Sequence, residues 1–97
     1  MIQFIWDERK NQTNIKKHGV SFESAIAVFD DENGILIYDE PHSCYEERFV
    51  LIGLNKQNNL LTVCHCYRDN EETIRIISAR RATKNETKQY FEKGGEA

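Results

Sequence analysis

A chain of 97 residues, 39% hydrophobic and 30% charged, is the size of one domain with a modest core; that excludes a second domain, a disordered chain and a fibre. The net charge of −3 and a pI near 5.6 argue against indiscriminate binding to nucleic acid. No apolar run reaches bilayer length, the N-terminus lacks a signal-peptide pattern, and three cysteines do not suggest a disulfide framework, so the expected location is the cytoplasm.

Gln3 to Trp6 is a short apolar strand candidate, closed by Asp7, a good N-cap. Residues 8–18 then read as a helix stopped by Gly19. Its only apolar residue is Ile15. Lys10, Asn14 and Lys17 form one stripe, with Asn11, Ile15 and His18 beside it. A helix this polar is either solvated and leaning on a sheet through Ile15, or a rim of cations and amides offered to a ligand.

Ser21 starts a second helix, over 21–30, in which Phe22, Ala25, Ile26 and Phe29 follow the spacing of a buried face. Strands are expected over 35–39, 48–54, 60–68 and 73–81. The short connections between them imply an antiparallel meander. The charge along this stretch is uneven. Asp30 to Glu47 holds seven carboxylates and no Lys or Arg, whereas Arg75 to Lys84 holds four cations and no carboxylate. A capping box, Thr83 to Glu86, opens a last helix over roughly 84–93 that turns Thr87, Tyr90 and Phe91 toward the sheet, and residues 94–97 are expected to fray. The fold class is therefore α+β, a single domain over 1–97 with a small, mostly antiparallel sheet and helices packed on it.

The chemistry is concentrated in the last two strands. Strict alternation puts Arg75, Ile77, Ala79 and Arg81 on one face of the fourth of these strands, and Ile74, Ile76, Ser78 and Arg80 on the other. In the preceding strand Arg68 shares a face with Thr62, Cys64 and Cys66, and His65 shares the opposite one with Tyr67. Guanidinium groups bind phosphate bidentately, and histidine titrates near neutrality. Together they can transfer a phosphoryl group without metal: a base takes the 2′-hydroxyl proton, cations stabilise the phosphorane, and an acid protonates the leaving oxygen. Arg48 or Arg75 could instead pair with Glu46 or Glu47, and His65 reads equally as a hydrogen-bonded strand residue. His42, Cys44, Cys64, His65 and Cys66 lack the spacing of a zinc knuckle.

Several blocks resemble a known family. They are Phe4-x-Trp6-Asp7; Asn14-x-x-Lys17-His18-Gly19-Val20-Ser21-Phe22-Glu23-x-Ala25; Glu47-Arg48 and Gly53; Val63-x-His65-x-Tyr67-Arg68; and Ile74-Arg75-Ile76-Ile77-Ser78-Ala79-Arg80-x-Ala82 with Glu86 and Tyr90. From Phe4 to Tyr90 the chain is similar to the BrnT toxins of bacterial type II toxin–antitoxin systems. Cys66 departs from the family, which commonly shows Thr there. The resemblance implies a RelE-like fold and a metal-independent, cofactor-free endoribonuclease that halts translation. It also implies neutralisation by a BrnA-type antitoxin with a ribbon-helix-helix DNA-binding domain, which could cover the polar, cationic toxin face. Operator DNA would then be bound only by the complex. The candidate catalytic residues are Arg68, Arg80 and His65; the candidate RNA-binding residues are Lys17, His18, Arg75, Arg81, Tyr67 and Tyr90. The competing reading is a non-catalytic module that binds a partner and acts in transcriptional autoregulation.

Overall fold

The computed structural model describes residues 2–93, so the tail expected to fray lies outside the described residues. Strands β1 (Gln3–Ile5), β2 (Ile35–Tyr38), β3 (Phe49–Leu54), β4 (Leu60–Arg68) and β5 (Thr73–Arg81) form one sheet in the order β1-β5-β4-β3-β2. The four later strands make the expected antiparallel meander. The sheet as a whole is mixed, because β1 pairs parallel with the start of β5, Gln3 opposite Thr73 and Ile5 opposite Arg75.

Helix α1 (Glu8–His18) is capped by Asp7, whose carboxylate accepts from the Arg9 and Lys10 amides, and ends at Gly19 with φ +70°. The second helical segment is not the single α-helix expected. One α turn, α2 (Phe22–Ala25), tightens into a 3-10 segment, Ile26–Asp30. Its three-residue repeat puts Phe22, Ala25 and Val28 in the core and leaves Ile26 and Phe29 only packed against it. Gly53 permits this approach, since a Cβ there would lie 2.9 Å from Val28 Cγ1. The core lies between these turns and one sheet face, with Leu51, Leu61, Val63, Ile76 and Ala79 supplied by the strands.

Helix α1 is held by polar bonds rather than through Ile15, which stays on the surface. Asn11 and Asn14 are the buried residues of α1. The Asn11 side chain accepts from the Phe22 amide and donates to Glu23. Asn14 donates to the carbonyls of Val20 and Ala79, at 2.8 and 2.7 Å, and accepts from the Ala79 amide at 3.2 Å. It thereby closes the edge of β5 beyond the point where β1 stops.

The third helix, α3 (Lys84–Lys93), opens with the expected capping box: Thr83 N donates to Glu86 Oε1, and Glu86 N to Thr83 Oγ1. Tyr90 is buried and donates to Asp31 Oδ2 at 2.6 Å; Phe91, expected to face the sheet, is half exposed beside it. Burial, and then the Asp31 carboxylate, push the Tyr90 hydroxyl up to about 12.

Candidate functional site

Alternation fails once in β5, and that failure assembles the site. Ser78 pairs with Cys64 and Ile76 with His65, so Ile77 is an extra residue, a β-bulge. The bulge reverses the parity between the two halves of the strand. Arg75, Ser78 and Arg80 therefore share one face, and Ile74, Ile76, Ala79 and Arg81 share the other. The expected grouping of Arg75 with Arg81, opposite Arg80, is corrected by this single inserted residue. Thr62, Cys64, Cys66 and Arg68 of β4 lie on the Arg80 face, as alternation required.

The three arginines that reach Glu46 sit on this face. Arg75 Nη2 lies 3.1 Å from its carboxylate, Arg48 Nε 3.4 Å and Arg68 Nη2 3.5 Å. Arg80 grips Glu86 with two donors at 2.8 and 3.0 Å. That grip, against an opposing push from burial and with further bonds from the Thr83 amide and the Thr62 hydroxyl, holds the Glu86 carboxyl down at about 2. The same contact raises Arg80 above its ordinary value. In direct contacts four guanidiniums are thus answered by two carboxylates, while Asp39 lines the same face and Glu47, Asp69 and Glu71 flank Arg68.

A cleft of about 270 Å³ opens on this face between Asp39, His42, Arg48, Thr62, Cys64 and Arg80. Burial pushes the Cys64 thiol up, keeping it neutral. Ile77 and Ser78 also border a second cleft, whose far bank is the exposed α1 surface with Arg9, Lys10, Lys17 and His18. The bulge therefore joins the arginine face to the cationic side of α1.

Other candidates are placed elsewhere. His65 is fully buried on the helix side of the sheet, with its ring 4.8 Å from that of Phe29. Nδ1 lies 3.2 Å from the Val63 carbonyl and Nε2 3.3 Å from the Tyr67 hydroxyl. Burial lowers its pKa, outweighing the Val63 contact, so His65 is a neutral core residue separated from the arginines by the sheet. Tyr67 borders a different cleft with Arg68, Phe49 and Glu71; burial and then Glu71 raise its hydroxyl. Arg81 lies at the rim of a further cleft and donates to Asn59 Oδ1 at 2.9 Å. Tyr90 is interior. Cys66, where the expected Thr is replaced, is buried near Glu46.

Among the described residues, no three His, Cys, Asp or Glu side chains are grouped so as to hold a metal ion, and no helix is long and apolar enough to cross a membrane. Sequence reasoning passed over His42 except as a metal ligand. Its carboxylate partner three residues earlier, Asp39, was the available signal.

Residues 6–86 match a family profile described as "Ribonuclease toxin, BrnT, of type II toxin-antitoxin system". The fold is similar to the 1.1 Å crystal structure of the Brucella abortus ribonuclease toxin BrnT, at 26% identity and a TM-score of 0.67, covering 87% of this chain and 100% of that one. Nothing among curated proteins matches.

Proposed function

The chain belongs to the BrnT family of ribonuclease toxins from type II toxin–antitoxin systems, and from that membership we propose that it is an endoribonuclease that cleaves RNA and so halts translation in the cytoplasm. One observation carries this reading: Arg48, Arg68 and Arg75 surround a single carboxylate on the face that also holds Arg80. Clustered guanidinium donors are what a phosphodiester and its more highly charged transition state require.

In the proposed mechanism Arg80 and, across the same cleft, Arg48 stabilise the phosphorane, while Arg68, at the other end of the arginine face, and Arg75, still paired with Glu46, support the flanking RNA backbone. Lys17 and His18 hold the RNA backbone along the second cleft, and Arg81 and Tyr67 contact it at the rims. The buried His65 and Tyr90 serve by packing. Acid–base chemistry of this kind runs without a metal ion, and the fold is grouped with RelE-like toxins on the strength of the family resemblance.

The antitoxin is proposed to be of BrnA type, with a ribbon-helix-helix domain that carries the complex to operator DNA. The acidic net charge supports assigning DNA binding to the complex. A second reading, a non-catalytic module acting through a partner in autoregulation, draws on β2. That strand ends the sheet, and Leu36, Ile37 and Tyr38 are exposed along it, as suits pairing with another chain.

Induced expression in a bacterium separates the two. Growth arrest with RNA cleavage is expected from the ribonuclease; harmless expression would leave the module. Cleavage by the purified chain is expected to survive EDTA, and activity that returns only with a divalent ion would overturn the metal-free scheme.

A further inference from the structure

We propose that His42, oriented by Asp39, is the general base of RNA cleavage in the cleft between Arg48 and Arg80. The proposal rests on the ribonuclease reading and names the group that takes the 2′-hydroxyl proton. The chain has three histidines. His65 is buried on the wrong side of the sheet, and His18 lies across the bulge on the α1 bank. His42 borders the arginine cleft itself, and most of its side chain is open to solvent.

Its orientation is set from behind. His42 Nδ1 lies 3.1 and 3.0 Å from the two oxygens of the Asp39 carboxylate, which is itself largely enclosed. A carboxylate accepts only, so in the neutral imidazole the proton sits on Nδ1 and the lone pair on Nε2. Backbone and hydroxyl bonds lock the same turn to the arginine. Asp39 N donates to the Arg48 carbonyl at 2.9 Å, Arg48 N donates to Ser43 Oγ at 2.9 Å, and Ser43 Oγ donates to the Asp39 carbonyl at 2.6 Å. The base and its orienting carboxylate are therefore tied to the backbone of Arg48, and Arg80 lines the same cleft. The charged or titratable groups facing His42 across the cleft are Asp39, Arg48, Cys64 and Arg80.

The step balances without a further reactant. His42 Nε2 takes the proton of a ribose 2′-hydroxyl, and the 2′-oxygen bonds to the adjacent phosphorus. The bond from phosphorus to the 5′-oxygen breaks, and that oxygen takes a proton from water. The hydroxide formed recovers the proton from His42. The products are a 2′,3′-cyclic phosphate and a 5′-hydroxyl end. Arg48 and Arg80 face the charge that develops on the phosphoryl oxygens; each guanidinium has five donors, and the contacts seen here leave some of them free.

The test uses the full chain and a labelled mRNA transcript, naked and in a translating bacterial extract. His42→Ala is expected to slow cleavage about 100- to 10,000-fold, the usual contribution of a positioned base. Added imidazole should restore part of the rate, and affinity for the same sequence as an uncleavable 2′-deoxy strand should be unchanged. Asp39→Asn should lower kcat with little change in KM and should shift the acidic limb of the pH–rate profile, which a merely structural role would not move. His42→Gln takes the place of His42→Ala if the latter does not fold. A folded variant that cuts at the parent rate overturns the assignment while leaving the ribonuclease reading intact. So does a loss that imidazole cannot restore and that tracks weakened 2′-deoxy strand binding. A parent chain that cuts neither form of the transcript overturns both.

Discussion

The side chain of Asn14 bonds both backbone groups of Ala79, donating to its carbonyl at 2.7 Å and accepting from its amide at 3.2 Å. The amide mimics a neighbouring strand at the point where β1 has stopped, and so fixes a polar helix against a sheet edge. Asn14→Ala would orphan these two groups and the Val20 carbonyl. The expected cost is about 2–3 kcal/mol, checked by urea denaturation. A loss under about 0.5 kcal/mol would mean that α1 is held by something else.

The core makes a simpler forecast. Phe22 is fully buried, and Phe29 is only partly so. Phe22→Ala should cost about 3–5 kcal/mol and Phe29→Ala less, because less of its ring leaves water. Equal losses would contradict the 3-10 register that separates them.

His65 should behave as a packing residue. His65→Ala is expected to lower the melting temperature, while the fraction that remains folded cuts RNA at the parent rate. A folded, stable variant without activity would return His65 to the catalytic list.

Stability should fall with acid in two windows. Burial depresses the His65 pKa below 6.5, so the folded state binds its proton later than the unfolded chain does, and stability is lost as the pH drops below that value. The Glu86 carboxyl falls from 4.5 to about 2, so its contribution is present above 4.5 and disappears as the pH falls toward 2. Glu86→Gln should flatten the second window in thermal melts against pH and leave the first. An unchanged acid limb would show that the Arg80 pairing is screened away.

The four meander strands, the caps at Asp7, Ser21 and Thr83, and the stop at Gly19 are local features, and local spacing reveals them. Three features were not legible. The bulge at Ile77 has no glycine or proline to announce it, so strict alternation sorted the arginines onto the wrong faces. The pairing of β1 with β5 joins the two ends of the chain, and a three-residue strand carries no sign of its direction. Asn11 and Asn14 looked like solvated polar positions because their burial depends on backbone groups 11 and 65 residues away. Glu46 was rightly suspected of pairing with arginines, but the convergence of three on it is a tertiary fact.

The central claim is that this arginine face stabilises the phosphoryl transition state, and single-turnover cleavage of RNA by the parent, Arg48→Ala and Arg80→Ala tests it most directly. Arg48 is the cleaner probe: its partly exposed contact with Glu46 contributes at most about 1 kcal/mol to folding, whereas Arg80 also holds Glu86. With folding verified by thermal melt, each variant is predicted to cut about 100- to 1000-fold more slowly. Folded variants that cut at the parent rate would contradict the account.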